Sequence, residues 1–181
     1  MRHKKHQVGL LKRLRNIKFL VTDFDGVWTD NLVFHSQEGK EFVVRSKADS
    51  LGIDLLQGEG LYNKNDYLSL NHSLDILILS RESNPIVESI SRKVKVKCLT
   101  GQHTKVESLY REAEKRGLTL DRVLYIGNDL NDIECMELVG IAVAVADSYP
   151  RVSEVADYVT KNYGGRGAVR EIIDLILESR K

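Results

Sequence analysis

The sequence predicts an open α/β sandwich built on a parallel sheet. Short, continuously apolar runs recur along the chain and end in polar residues, the pattern of strands buried on both faces. The segments between them carry helical period. The polar residues at the run ends are carboxylates, amides and a hydroxyl, and open parallel sheets gather ligand-binding groups at those ends. With 181 residues, 42% of them hydrophobic and 29% charged, the chain suits one core. We divide it into a basic N-terminal arm, residues 1–16, and a single domain over residues 17–181.

The arm, "MRHKKHQVGLLKRLRN", holds six Lys or Arg without aromatic interleaving and is expected to be solvated. The first strand is "KFLVTDF", residues 18–24. Residues 31–45, "NLVFHSQEGKEFVVR", read as two strands around a turn at Gln37 to Lys40, with Gly39 available for positive φ. This hairpin leaves directly from the first strand and can overhang its end. Residues 57–73 are polar without either period and are expected to form a surface insertion. Further strands are "DILILS" (75–80), "VKVKCL" (94–99), "RVLYIGND" (122–129) and "GIAVAVAD" (140–147). In residues 105–117, Val106, Leu109, Tyr110 and Ala113 form one helical stripe, with Gly117 placed to end it. In residues 168–181 the stripe is Val169, Ile172, Ile173, Ile176 and Leu177.

Composition excludes several classes. A net charge of +1 gives no global field toward nucleic acid or a membrane surface. No apolar stretch approaches the roughly 18 residues of a membrane span, and the N-terminus lacks the apolar region and cleavage site of a secretory signal. A cytoplasmic protein is expected. The two cysteines, Cys98 and Cys135, lie far apart in apolar contexts and read as buried thiols without disulfide or zinc roles.

The strand ends carry the chemistry. Asp23 and Asp25 follow the first strand, Ser80 and Arg81 the second; Lys105 opens the helix after the third, and Asn128, Asp129 and Asp132 follow the fourth. Carboxylates crowded this way repel unless a cation neutralises them, and an oxygen-only set favours Mg²⁺. Mg²⁺ with few protein ligands commonly binds a substrate phosphate. Asp23 is then placed to attack phosphorus as a nucleophile. Asp25 would protonate the leaving oxygen and later deprotonate the hydrolytic water. Ser80 would hydrogen-bond the phosphoryl group, and Lys105 would offset its charge and that of Asp23. Taken singly, these features have structural explanations. Asp-x-Asp-Gly is a common turn, Ser80 could cap a helix, and "GNDLND" could be an Asx turn. The stretch makes a poor EF-hand, because glycine stands at the fourth loop position and Phe34 at the twelfth. Their order on successive strand ends points to catalysis.

With those residues in place, the sequence resembles the haloacid dehalogenase (HAD) superfamily of aspartate-nucleophile phosphatases. The motifs are "DFDGVWT", Ser80 at a strand end, Lys105, and the acidic loop "GNDLND". A closer likeness is to the small 3-deoxy-D-manno-octulosonate 8-phosphate phosphatases and the related sialic-acid-type 9-phosphate phosphatases. It runs from about Ile17 onward through "DGVWTD", "EFVVRSKADSLGI", "VAVADSYP", "ADYVT" and "GGRGAVRE". The resemblance implies a Rossmann-like core with a β-hairpin flap after the first strand and no large cap domain. It also implies Mg²⁺-dependent hydrolysis of an ulosonic acid phosphate in a homotetramer, the hairpin of one subunit roofing its neighbour's site. Asp23, the main-chain carbonyl of Asp25, and Asn128 would then ligate the metal, with Asp129 and Asp132 behind them or orienting Lys105. Arg166, in the glycine-rich entry to the last helix, would approach the substrate. Arg45, Lys47 or Arg81 would meet its carboxylate.

The sequence departs from the family at Asn128, where many relatives carry aspartate, and a neutral amide should weaken Mg²⁺ binding. The competing class is a degenerate domain retained as an oligomerisation or regulatory module of a CMP-nonulosonate pathway. Asp25, Ser80 and Lys105 argue against it, since assembly alone gives no reason to keep charge together in a core. A phospho-acceptor receiver would place its acceptor on a later strand, and a mutase would need a larger cap to exclude water.

Overall fold

A computed structural model describes residues 9–70 and 72–181. Six strands form one parallel sheet: β1 (Phe19–Thr22), β4 (Asp75–Leu79), β5 (Lys97–Leu99), β6 (Val123–Gly127), β7 (Ile141–Ala144) and β8 (Tyr158–Val159). Their order across the sheet is β5-β4-β1-β6-β7-β8, so β1 is central and its residues pair with Asp75–Ile78 on one side and Val123–Ile126 on the other. Crossovers run through α1 (Lys47–Gly58), α2 (Pro85–Val94), α3 (Lys105–Glu114), α4 (Ile133–Leu138) and α5 (Pro150–Val155), and α6 (Ala168–Ser179) follows β8.

Both faces of the sheet are covered, as continuous apolar strands require. Along β1 the side chains alternate, Phe19 and Val21 entering the layer with Leu109 and Met136, and Leu20 the layer with Ile53 and Ile173. The α6 stripe is buried as its spacing predicts. Tyr110, assigned to the α3 stripe, is half exposed; Leu109 and Ala113 are buried, and Val106 packs partly buried against the same layer.

The hairpin of β2 (Val33–His35) and β3 (Glu41–Val43) stands apart from the main sheet. Val33 faces Val43 and His35 faces Glu41, and Gly39 takes φ +75° in the turn. Among the described residues no large cap interrupts the core. The hairpin rests on the next crossover, where Asn84 accepts the Ile86 N–H to cap α2 and donates its amide to Glu41.

Three segments differ from expectation. Residues 9–14 are helical, and Leu10 and Leu14 join the core. Arg13 reaches Asp157 at 2.7 Å and the Gly140 carbonyl at 2.6 Å, so this part of the basic arm is docked; residues 1–8 lie outside the described residues. The stretch 57–73 begins inside α1 and is pinned by Tyr62, which is 3% exposed and donates to the Lys95 carbonyl at 2.9 Å. Finally, Val94 ends α2 and Lys95 turns away at φ 60°, so β5 starts three residues later than the apolar pattern suggests.

At the end of the sheet where β1 and β4 begin, a buried charge cluster ties α3 to the core. The Arg116 guanidinium lies 4.1 Å over the Phe19 ring and bonds Asp75 and Glu112, each at 2.8 Å. Glu112 is fully buried and also takes Lys97 at 3.2 Å and Lys115 at 2.6 Å.

Candidate active site

The opposite end of β1 is where the polar residues meet. The Asp23 N–H still bonds the Ile126 carbonyl at 2.9 Å, which fixes Asp23 at the carboxyl end of the central strand. The chain then turns: Val27 and Trp28 donate to the Phe24 carbonyl at 3.2 and 2.8 Å, and the buried Trp28 indole donates to Thr22 at 2.7 Å. Gly26 has φ +74°, and a Cβ there would lie 2.0 Å from the Asn128 amide nitrogen. Only glycine meets both conditions. From the other side, Gly164 packs so closely that its Cβ would fall 1.8 Å from the Gly26 carbonyl oxygen. The Asp23–Asp25 turn is therefore clamped between the acidic loop after β6 and the entry to α6.

A pocket of about 260 Å³ opens over this turn, lined by Asp23, Asp25, Ser80, Arg81, Asn128 and Asp129, together with Asn31, Glu82, His103 and Asn131. Beneath it Lys105, 3% exposed, places its ammonium 2.9 Å from Asp23 Oδ1 and 2.8 Å from Asp132 Oδ1. Asp132 is fully buried; its Oδ2 accepts the Asn128 N–H at 2.9 Å and the Asp129 N–H at 3.3 Å, while Tyr125 donates to Oδ1 at 2.8 Å. Asp129 and Asp132 also form a reciprocal capping box that shapes the loop.

Electrostatics divide the carboxylates. Burial, reinforced by Asp132 and opposed by Lys105, pushes Asp23 up to about 7. Burial also raises Asp25, helped by the Glu82 and Glu41 charges and opposed by Lys105. Burial alone would pull Lys105 down, but Asp23 and Asp132 outweigh it and hold the ammonium above its ordinary range. One ammonium among this many acidic groups leaves the site short of positive charge.

Of the residues singled out from the sequence, Asp23, Asp25, Ser80, Lys105, Asn128, Asp129, Asp132 and Arg81 come together here. Arg45, Lys47 and Arg166 are not among the residues lining this pocket. Arg45 bonds Ser50 at 2.7 Å, and the exposed Arg166 lies 3.5 Å from Asp30. The N-terminus of α6 faces Asp49, which accepts the Arg170 N–H at 2.9 Å. Sequence reasoning missed Asn31, Glu82, His103 and Asn131 at the pocket wall and Tyr125 below it. His103 sits two residues before Lys105 and Asn131 inside the acidic loop, so proximity to a motif was the available signal.

A family model described as haloacid dehalogenase-like hydrolase matches residues 10–173. The 3-deoxy-D-manno-octulosonate 8-phosphate phosphatase of Escherichia coli (strain K12) is 33% identical over 169 residues, 93% of this chain and 83% of that protein. The chain belongs to the haloacid dehalogenase-like hydrolase family. It is a phosphatase of the HAD type. The corresponding phosphatase of Moraxella catarrhalis, solved with a magnesium ion, a phosphate ion and a KDO molecule, superposes with a TM-score of 0.84 at 26% identity, covering 95% of this chain and 92% of that one. The cobalt-bound deoxy-D-mannose-octulosonate 8-phosphate phosphatase of Haemophilus influenzae gives 0.80 at 28% identity, with 93% and 91% covered.

The site fits a divalent metal cofactor. Among the described residues no group of three or more His, Cys, Asp or Glu side chains is gathered as a metal cage, but the ligand set in question mixes one carboxylate, one main-chain carbonyl and one amide. Asn128 is 6% exposed, and its Oδ1 is buried without a hydrogen-bond partner. An orphaned amide oxygen beside Asp23 suits a hard cation that keeps part of its water shell.

Proposed function

We propose that this phosphatase hydrolyses the phosphomonoester of an ulosonic acid, 3-deoxy-D-manno-octulosonate 8-phosphate or a nonulosonate 9-phosphate, through an aspartyl-phosphate on Asp23. The observation that carries this reading is the Asp23–Lys105–Asp132 ion triad at the end of the central strand, with the raised Asp25 carboxyl two residues on. The names of the relatives supply the substrate class.

Asp23 Oδ1 is pinned by Lys105 and by the Phe24 N–H at 2.7 Å, which leaves Oδ2 to attack phosphorus. As that bond forms, the ester P–O bond breaks and Asp25 gives its proton to the departing alkoxide. Asp25, now a carboxylate, takes a proton from the water that attacks the same phosphorus, releasing phosphate and restoring Asp23. Ser80 accepts the Glu82 N–H at 3.0 Å, so its own proton is free to donate to a phosphoryl oxygen. Lys105 opposes the burial that raises Asp23 and offsets charge on the phosphoryl group. Mg²⁺, held by Asp23, the Asp25 main-chain carbonyl and Asn128, would supply further positive charge there; Asp129 and Asp132 would support that loop from behind.

Arg81, at the pocket wall, is the first contact we assign to the substrate carboxylate. Arg45, Lys47 and Arg166 would reach it from the rim or from a neighbouring subunit. A homotetramer is part of this proposal: Phe34 and Phe42 pair across the hairpin and are 60% and 56% exposed, a surface suited to burial against another copy. Among the described residues no helix is long and apolar enough to cross a membrane.

The test is hydrolysis of a panel: 3-deoxy-ulosonate 8-phosphate, ulosonate 9-phosphates, hexose phosphates and an aryl phosphate, with Mg²⁺ and with Asp23→Asn as control. Selective turnover of one ulosonate phosphate, lost in Asp23→Asn with the fold intact, is the expected result. A folded, oligomeric wild type that turns over none of them would favour a degenerate assembly domain, the reading that Asn128 alone suggests.

A further inference from the structure

The buried hydroxyl of Tyr125 has no place in the chemistry above. Tyr125 lies on β6, is fully buried, and faces the layer of α3 and α4. Burial, with Asp132 and Asp23 near it, holds the phenol far above its ordinary range, so it carries its proton and acts as the donor to Asp132 Oδ1 at 2.8 Å. Its other neighbour, Cys135, is pushed up to about 12 by burial and is neutral as well. An unbroken chain therefore runs from the nucleophile into the core: Asp23 Oδ1, Lys105 Nζ at 2.9 Å, Asp132 Oδ1 at 2.8 Å, and Tyr125 OH at 2.8 Å.

Lys105 and Tyr125 bond the same oxygen of Asp132. That oxygen has a limited negative charge to share, and each donor weakens its hold on the other. With the phenol in place, Asp132 anchors Lys105 without drawing the ammonium away from Asp23. Without it, Asp132 would have only Lys105 on Oδ1, would bind it more tightly, and would leave Asp23 and the transferring phosphoryl group less compensated.

We propose that Tyr125 is a positioning residue for phosphoryl transfer: through Asp132 it sets how the Lys105 charge is divided between the core and the nucleophile. This rests on the phosphatase reading above. The prediction is a fall in kcat with little change in KM, because Tyr125 touches neither substrate nor the pocket wall.

The experiment compares wild type, Tyr125→Phe, Asp132→Asn, the double variant and Cys135→Ala, using with Mg²⁺ whichever phosphate of the panel above the wild type hydrolyses fastest, p-nitrophenyl phosphate included. Thermal unfolding is followed in parallel by fluorescence of Trp28, the single tryptophan of the chain. Tyr125→Phe is expected to lower kcat roughly 3- to 30-fold, the range of one hydrogen bond to a charged group only partly expressed in the transition state, with KM within about twofold. Cys135→Ala should keep wild-type kcat. If Tyr125 acts through Asp132, the double variant is no slower than Asp132→Asn alone; a purely structural role gives multiplied losses instead. Wild-type kcat in Tyr125→Phe, or multiplied losses, overturns the inference while leaving the phosphatase reading standing. A wild type with no Mg²⁺-dependent turnover overturns both.

Discussion

Glu112→Gln isolates the contribution of the charge cluster at the end of the sheet remote from the pocket. Burial raises the Glu112 carboxyl, but hydrogen bonds from Lys115, Arg116 and Lys97 outweigh it and hold it at about 2, against an ordinary 4.5. At about 1.4 kcal/mol for each tenfold change in proton affinity, this corresponds to roughly 3 kcal/mol of stability at neutral pH. Because Lys115 is about half exposed, solvent screens part of that, and about 2 kcal/mol is the expected loss. For a chain of this size this amounts to a fall in Tm of roughly 4–8 °C. The group is depressed in the folded state, so its contribution is present above about pH 4.5 and fades as pH falls toward 2. Urea unfolding of both proteins at pH 7 and pH 3 reads the effect directly. The gap should be largest at pH 7 and clearly smaller at pH 3, while kcat at pH 7 stays at the wild-type value. A variant within 0.5 kcal/mol of wild type at pH 7, taking ~0.5 as the ordinary scatter of surface substitutions, refutes the argument; so does a gap that does not shrink in acid.

Other outcomes follow from the same structure. Asp49 is fully buried, and burial raises its carboxyl to about 6 despite the α6 N–H groups facing it. Its favourable contribution is thus complete below its ordinary 3.8 and lost as pH rises through about 6. Asp49→Asn, which keeps an acceptor for the Arg170 N–H, should gain about 2 kcal/mol relative to wild type between pH 4 and pH 7.5, measured as the change in urea midpoint; a constant difference across that range would contradict it. Asn128→Asp should lower the Mg²⁺ concentration for half-maximal activity several-fold, and an unchanged or higher requirement would remove Asn128 from the ligand set. Asp25→Asn should accept phosphate yet release it slowly, seen as accumulated phosphoprotein in a rapid quench; wild-type turnover would end its assignment as acid and base.

Much of this was visible before the fold was known because it depends on chemistry that is local in sequence. Asp23, Ser80, Lys105 and Asn128 each follow or precede an apolar run, and a parallel sheet brings all such ends to one edge. The strands β1, β4, β6 and β7 were legible for the same reason. The short elements were not: β8 has two residues and α4 and α5 six each, too few for a period to emerge. Tyr125 read as one more apolar strand residue, since only the register of β6 against β1 and the fold-back of Asp132 give its hydroxyl a partner. Tyr62 was hidden in a polar segment because its anchor, the Lys95 carbonyl, comes from a different crossover. Arg45, Lys47 and Arg166 are candidates by charge and motif likeness, and charge alone does not place a side chain at the pocket wall.

The close seat of Gly164 against Gly26 also bears on synthesis. The strand that ends on Asp23 leaves the ribosome among the first parts of the domain, yet the segment that presses on its turn is made later, after Lys105 and Asp132 have been supplied by intervening crossovers. Until β4, α3 and β6 have been made, the growing chain carries Asp23 without the Lys105 ammonium and β1 without its two neighbours. A truncated chain ending before residue 164 would hold the pocket-lining side chains but lack the backbone that holds their turn in place. The Asp23–Asp25 turn thus gains its last support only once Gly164 has been made.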